Sequence, residues 1–141
     1  MQMKTVRIVC ASLALVASQV YAQAWSEGWV LLPNPDQSFR FYYQPLSVQT
    51  QANGHVKVTS LINYSSGDGA LMSLFTRSIY DCAEHVNLDV LTAQHEGHWA
   101  IGKQLAVSES KDQWRRVLPK SMGATLMAAA CGNIASSQLQ R

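Results

Sequence analysis

The sharpest chemical candidate in this sequence is His95-Glu96-Gly97-His98. If Glu96-Gly97 forms a two-residue turn, the imidazoles of His95 and His98 stand opposite each other on one face of a hairpin, where they could ligate a metal. A catalytic zinc centre takes a third protein ligand, yet Glu96 points elsewhere at the turn tip and His85 sits at the far end of its strand. The pattern is not His-Glu-x-x-His and does not belong to a helix. A solvated hairpin end is therefore the preferred reading, and no cofactor is assigned. Nucleophilic catalysis has little to build on, because no Gly-x-Ser-x-Gly elbow occurs. Asp81 and Asp89, with Glu84 between, could form a carboxylate pair, and a solvated strand edge explains them equally well. Asp68 between two glycines supplies a single carboxylate where a calcium loop needs several oxygen donors, so it reads as a plain turn. Asn63-Tyr64-Ser65 matches a glycosylation acceptor, which matters only where that machinery exists. No catalytic residue is expected.

The cysteines and the N-terminus place the protein. Residues 1–22 carry Lys4 and Arg7, an apolar stretch from Ile8 to Ala17 and a Val20-Tyr21-Ala22 exit, the layout of a cleavable secretion signal. Cleavage makes Gln23 the first residue of a single domain, 23–141. Cys10 falls early in the apolar stretch behind Arg7-Ile8-Val9, which lacks the small residues of a lipid-anchor site. With Cys10 removed, Cys82 and Cys131 form an even pair in an oxidising compartment, where a disulfide is the default. Closing a loop of about fifty residues stabilises by roughly 4 kcal/mol in the chain-entropy account. No Cys-x-x-Cys points to redox or metal chemistry instead. No later apolar run reaches the length of a spanning helix, so no transmembrane segment is expected in the mature chain. Loss of Lys4 and Arg7 reduces eleven basic residues to nine against nine acidic ones. That balance, with Arg115-Arg116 as the densest basic pair, argues against nucleic acid as a partner.

The pattern of apolar residues predicts six strands and one helix. Trp29-Val30-Leu31-Leu32 is a short strand stopped by Pro33-Asn34-Pro35-Asp36, and residues 39–43 form a second. Asn53-Gly54 leads into a β-branched strand at 55–64. After the flexible reversal at 65–69, a fourth strand spans 71–81, with Leu74, Thr76, Ser78 and Tyr80 on one side and Phe75 and Ile79 on the other. A fifth spans 85–95, and Trp99, Ile101, Leu105 and Val107 continue the apolar face in a sixth. Ser121 caps a helix at 122–131, with Gly132 just past its end. Met122, Leu126 and Ala130 share its buried face, and Cys131 points from the last turn toward the sheet. The fold class is α+β: an antiparallel meander packed by one C-terminal helix, with the disulfide joining helix and sheet.

Eleven aromatics of the mature chain, Trp25, Trp29 and the Tyr42-Tyr43 pair among them, are many for one sheet face to bury. Neighbours in a strand face opposite ways, so Tyr42 and Tyr43 cannot both lie under the helix. One of them is the candidate contact residue on an uncovered face, for a protein partner or a second copy.

The order of these landmarks resembles the surface-adhesin protein E family of bacterial envelope proteins. The elements that carry the likeness are Trp29-Val30-Leu31, Tyr43 before Ser47-Val48, a strand ending in Tyr80-Asp81-Cys82, the run Trp114-x-x-Val117-x-Pro119-x-Ser121, and Cys131-Gly132. The resemblance implies an antiparallel sheet on a C-terminal helix with Cys82 bonded to Cys131. It also implies a non-enzymatic role at the envelope through attachment to host extracellular-matrix or serum proteins, with a homodimer allowed. The family's naming adhesin is lipid-anchored and this chain lacks such a site, which leaves periplasmic, cell-surface and secreted locations open. The alternatives are a periplasmic accessory or inhibitor protein, and a small metal-binding protein using His95 and His98.

Overall fold

The computed structural model describes residues 27–65 and 71–138. The signal segment with Cys10, Trp25, and the reversal carrying Asp68 lie outside the described residues. Seven strands among those described form one sheet: β1 (Val30–Leu31), β2 (Phe39–Thr50), β3 (Val56–Tyr64), β4 (Ser73–Asp81), β5 (Val86–His95), β6 (Gln104–Glu109) and β7 (Arg115–Arg116). β1 to β6 follow one another in order as an antiparallel meander, and β7 pairs with the start of β5 beside β6. Helix α1 (Met122–Gln138) closes the chain. The expected α+β layout is the observed one.

The core forms where α1 covers the first half of the sheet. Phe41 and Tyr43 of β2, Val56 and Val58 of β3 and Tyr80 of β4 project to one side, where Leu126 and Ala130 of the helix meet them. All are buried. Burial of each large apolar side chain is worth about 1.5–3 kcal/mol, which is what holds this helix to this sheet. Ser121 caps α1 as expected, its hydroxyl oxygen accepting from the Ala124 N–H at 3.1 Å. Cys82, just past β4, is bonded to Cys131 in α1 across 49 residues.

Three expectations about elements need correction. The helix runs through Gly132 to Gln138 instead of stopping at Cys131, since one glycine inside a helix costs only about 1 kcal/mol. β2 extends through Pro45 to Thr50, where a strand over 39–43 was expected. Four residues bulge out between Gln44 and Gln49, and the Ser47 hydroxyl restores the ladder by donating to the Gln44 carbonyl at 2.7 Å and accepting the Thr59 N–H at 2.8 Å. Trp99 is not in a strand. It sits in a short 3-10 turn (His98–Ala100), and β6 begins only at Gln104, with all six of its residues exposed.

Candidate binding surface

Cross-strand register builds a surface on the sheet face opposite α1. Directly paired residues of an antiparallel sheet share a face. Leu31 pairs with Tyr42, Tyr42 with Leu61, Leu61 with Phe75, Phe75 with Ala93, and Ala93 with Val107. An unbroken apolar row therefore crosses six strands on the helix-free side. The flanking rows are mostly polar: Arg40, Asn63, Ser73 and His95 on one side, and Gln44, Thr59, Arg77, Leu91 and Glu109 on the other, with Leu91 the apolar exception. The ends of the apolar row are open, with Leu31 51% and Val107 47% exposed. Leu105, in the irregularity of β6 between Gln104 and Ala106, is exposed as well.

The middle of the row is roofed by the loop between β5 and β6. Trp99 lies over Tyr42 with ring centroids 4.7 Å apart. Trp99 and Ala100 both adopt left-handed backbone, at φ 62° and 57°, a conformation that costs non-glycine residues about 1–2 kcal/mol each. Polar groups of the sheet hold them there. Asn63 Oδ1 accepts the Trp99 N–H at 2.8 Å, and the fully buried Ser73 hydroxyl accepts the Ala100 N–H at 3.0 Å while donating to the Gly97 carbonyl. His98 Nε2 bonds the Tyr64 carbonyl oxygen at 2.8 Å. Gly97 fits because a Cβ there would lie 2.8 Å from the Ile101 carbonyl oxygen, and Gly102 supplies a φ of +76°. Arg77 caps the neighbouring part of the row, its guanidinium carbon 5.7 Å from the Phe75 ring centre.

The sequence candidates divide between the two faces. Tyr42 is the aromatic on the helix-free side, half-buried beneath Trp99, whereas Tyr43 is buried in the core under α1. His95 and His98 are not opposed across a tight turn: His95 pairs with Gln104 and with Ser73, and the connection spans residues 96–103. The two-residue turn fails because the backbone of Gly97 bonds that of Ile101, and Glu96 that of Lys103, which sets a wider loop. Nδ1 of His95 is buried without a hydrogen-bond partner. Among the described residues no group of three or more His, Cys, Asp or Glu is placed to hold a metal. Leu31, Leu61, Phe75 and Val107 gain their significance from pairing partners far away in the chain. The one local signal for the roof was the bracketing pair Gly97 and Gly102.

Electrostatics on this side are set by isolated groups. Asp81 is held below the usual carboxylate range, chiefly by the Glu84 N–H and also by the Ala83 N–H and the nearby His55 ring. His55 in turn meets Trp114 edge-on at 5.1 Å. On the helix side, Asp89 pairs with Arg115 and accepts from Ser78 and Asn87. Burial, followed by the Asp89 charge, pushes the Tyr80 phenol well above its ordinary value, so it stays neutral.

Comparison with known proteins reaches the same architecture. The chain resembles crystal form II of Haemophilus influenzae protein E at a TM-score of 0.61 and 17% identity, covering 77% of this chain and 91% of that one. A structure of protein E from non-typeable Haemophilus influenzae matches with a TM-score of 0.61 and 17% identity over 79% of this chain and 80% of that chain. No curated protein sequence matches. The sequence profile described as surface-adhesin protein E matches residues 29–132, from the strand entering β1 to the glycine after Cys131. The chain belongs to the surface-adhesin protein E family.

Proposed function

We propose that this chain is an exported envelope protein, made as residues 1–22 of signal and one domain at 23–141, that binds a protein partner without catalysis in an adhesin-like role. Membership of a surface-adhesin family supports the role. The observation that carries the binding mode is β6. Among the described residues it pairs with β5 alone, its six residues are all exposed, Val107 brings the apolar row to its open edge, and Leu105 is exposed close by. An extended segment of a host matrix or serum protein, or a second copy, would add to that edge by main-chain bonding and seat apolar side chains beside Val107. Charged residues such as lysine are what proteins use to block a sheet edge.

Two measurements test this. Protease accessibility on intact cells, with fractionation, reads export and surface display; a protein found only in the cytoplasm overturns the proposal. Binding of the mature chain to immobilised matrix and serum proteins is then compared with Leu105→Lys/Val107→Lys. Loss of binding with an unchanged melting temperature is the expected result, and undiminished binding by the variant rejects β6 as the contact.

A further inference from the structure

The helix side of the sheet carries a second feature, separate from the face and edge just described. α1 packs on β2 and β3, so it leaves a cleft over β4 and β5. The cleft beside the first turns of α1 has a volume of about 280 Å³; Phe41, Ile62, Leu74, Met122 and Leu126 give it apolar wall, and Ser60, Thr76, Ser78 and Asn87 add uncharged polar groups along the strands. Beyond it lies a polar hollow of about 240 Å³, walled by Thr92, Ser108, Ser110 and Gln113. Asp89 and Arg115 line both, so that ion pair stands at the border of the two. Cavities that hold small molecules combine mostly apolar walls with a few convergent polar groups, at about 300–1,000 Å³.

The charges at the junction select the ligand. Asp89 is occupied, accepting from Ser78, Asn87 and Arg115. Arg115 has no other ion-pair partner among the described residues, and its side chain is 64% exposed. A guanidinium offers five donors, so it retains several for an anion. On the polar side the Ser110 hydroxyl oxygen is buried with no hydrogen-bond partner, an orphan that a bound polar group would satisfy. On the apolar side nothing charged lines the walls before the Asp89–Arg115 pair.

We infer that this cleft binds a single-chain amphiphile with an anionic headgroup, its alkyl chain between α1 and β3–β4 and its head at Arg115, facing Ser108 and Ser110. The headgroup is a phosphate or carboxylate carried on a free amphiphile.

The test is a titration of the ¹⁵N-labelled mature protein with dodecyl phosphate below its micelle concentration. Amide shifts gathered at Thr76, Thr92, Ser108, Ser110 and Arg115 are expected. Arg115→Gln weakens binding of dodecyl phosphate about tenfold while leaving monomeric dodecyl maltoside unchanged, and Thr76→Trp, which fills the apolar half, abolishes both. Each variant's spectrum away from the cleft reports its fold. Shifts confined to Tyr42, Phe75 and Val107, equal affinity for inorganic phosphate, or binding to anionic vesicles without any to the monomeric amphiphile would each overturn the inference.

Discussion

Single side chains here act through the backbone they satisfy. Ser73 is fully buried, and its hydroxyl serves both the Ala100 N–H and the Gly97 carbonyl. Ser73→Ala leaves both groups without that partner, and a buried unsatisfied group costs about 1–3 kcal/mol. The variant is expected to lose about 2–4 kcal/mol in urea unfolding, with displacement of the Trp99 indole N–H resonance; an unmoved resonance would show that the roof does not depend on Ser73. Asp81 makes a pH-dependent contribution. Its folded-state pKa is depressed, so the stabilisation is complete above the ordinary aspartate value near ~4 and is lost as pH falls through the lowered value. Asp36, lowered by its bonds from Ser38, behaves alike. Asp81→Asn should therefore lose less stability than the native chain between about pH 7 and about pH 2.5. Parallel acid limbs for the two proteins would remove Asp81 from this account.

At the scale of elements, the decisive piece is the loop joining β5 to β6. Its two left-handed residues, Trp99 and Ala100, persist because Asn63 and Ser73 from two other strands hold their N–H groups. Gly97 and Gly102 allow the chain to enter and leave that conformation. Gly102→Ala is expected to cost about 1–2 kcal/mol for its positive φ. Gly97→Ala should disturb the loop more, because its Cβ would press on the Ile101 backbone at 2.8 Å and backbone cannot swing aside. Denaturation midpoints rank the two, and a Gly97→Ala protein as stable as the native chain would contradict the packing argument. The β2 bulge illustrates the converse: a proline that would end a strand is tolerated because the Ser47 hydroxyl stands in for lost ladder bonds.

For the whole molecule, a sheet with a helix on one face is left with two unlike surfaces. The helix side buries the core, and the other side carries an apolar row that, among the described residues, is roofed at its middle. The disulfide ties α1 to the end of β4, so the helix cannot leave the sheet without the intervening chain. Cys82→Ser/Cys131→Ser is expected to lower stability by about 4 kcal/mol through the unfolded state's regained freedom. Its partner binding should be retained below the new melting point, since both cysteines lie away from β6. Equal urea midpoints with and without reductant would refute a stabilising bond. No helix among the described residues is long and apolar enough to cross a membrane.

Much of the architecture was legible in the sequence because it rests on local signals. Alternation in 55–64 and 71–81 marks strands, Ser121 marks a helix start, and an even cysteine pair marks a bond. The opposed faces of Tyr42 and Tyr43 follow from the two-residue strand period alone. The binding face was not legible, because the row from Leu31 to Val107 exists only once six strands are in register. Nor was the place of Trp99, whose apolar spacing continues a strand pattern while its backbone is captured by Asn63 and Ser73. The sequence by itself determined which segments pair and where they are tied. Only the tertiary structure decided which side chains share a face, because that depends on hydrogen bonds between residues tens of positions apart.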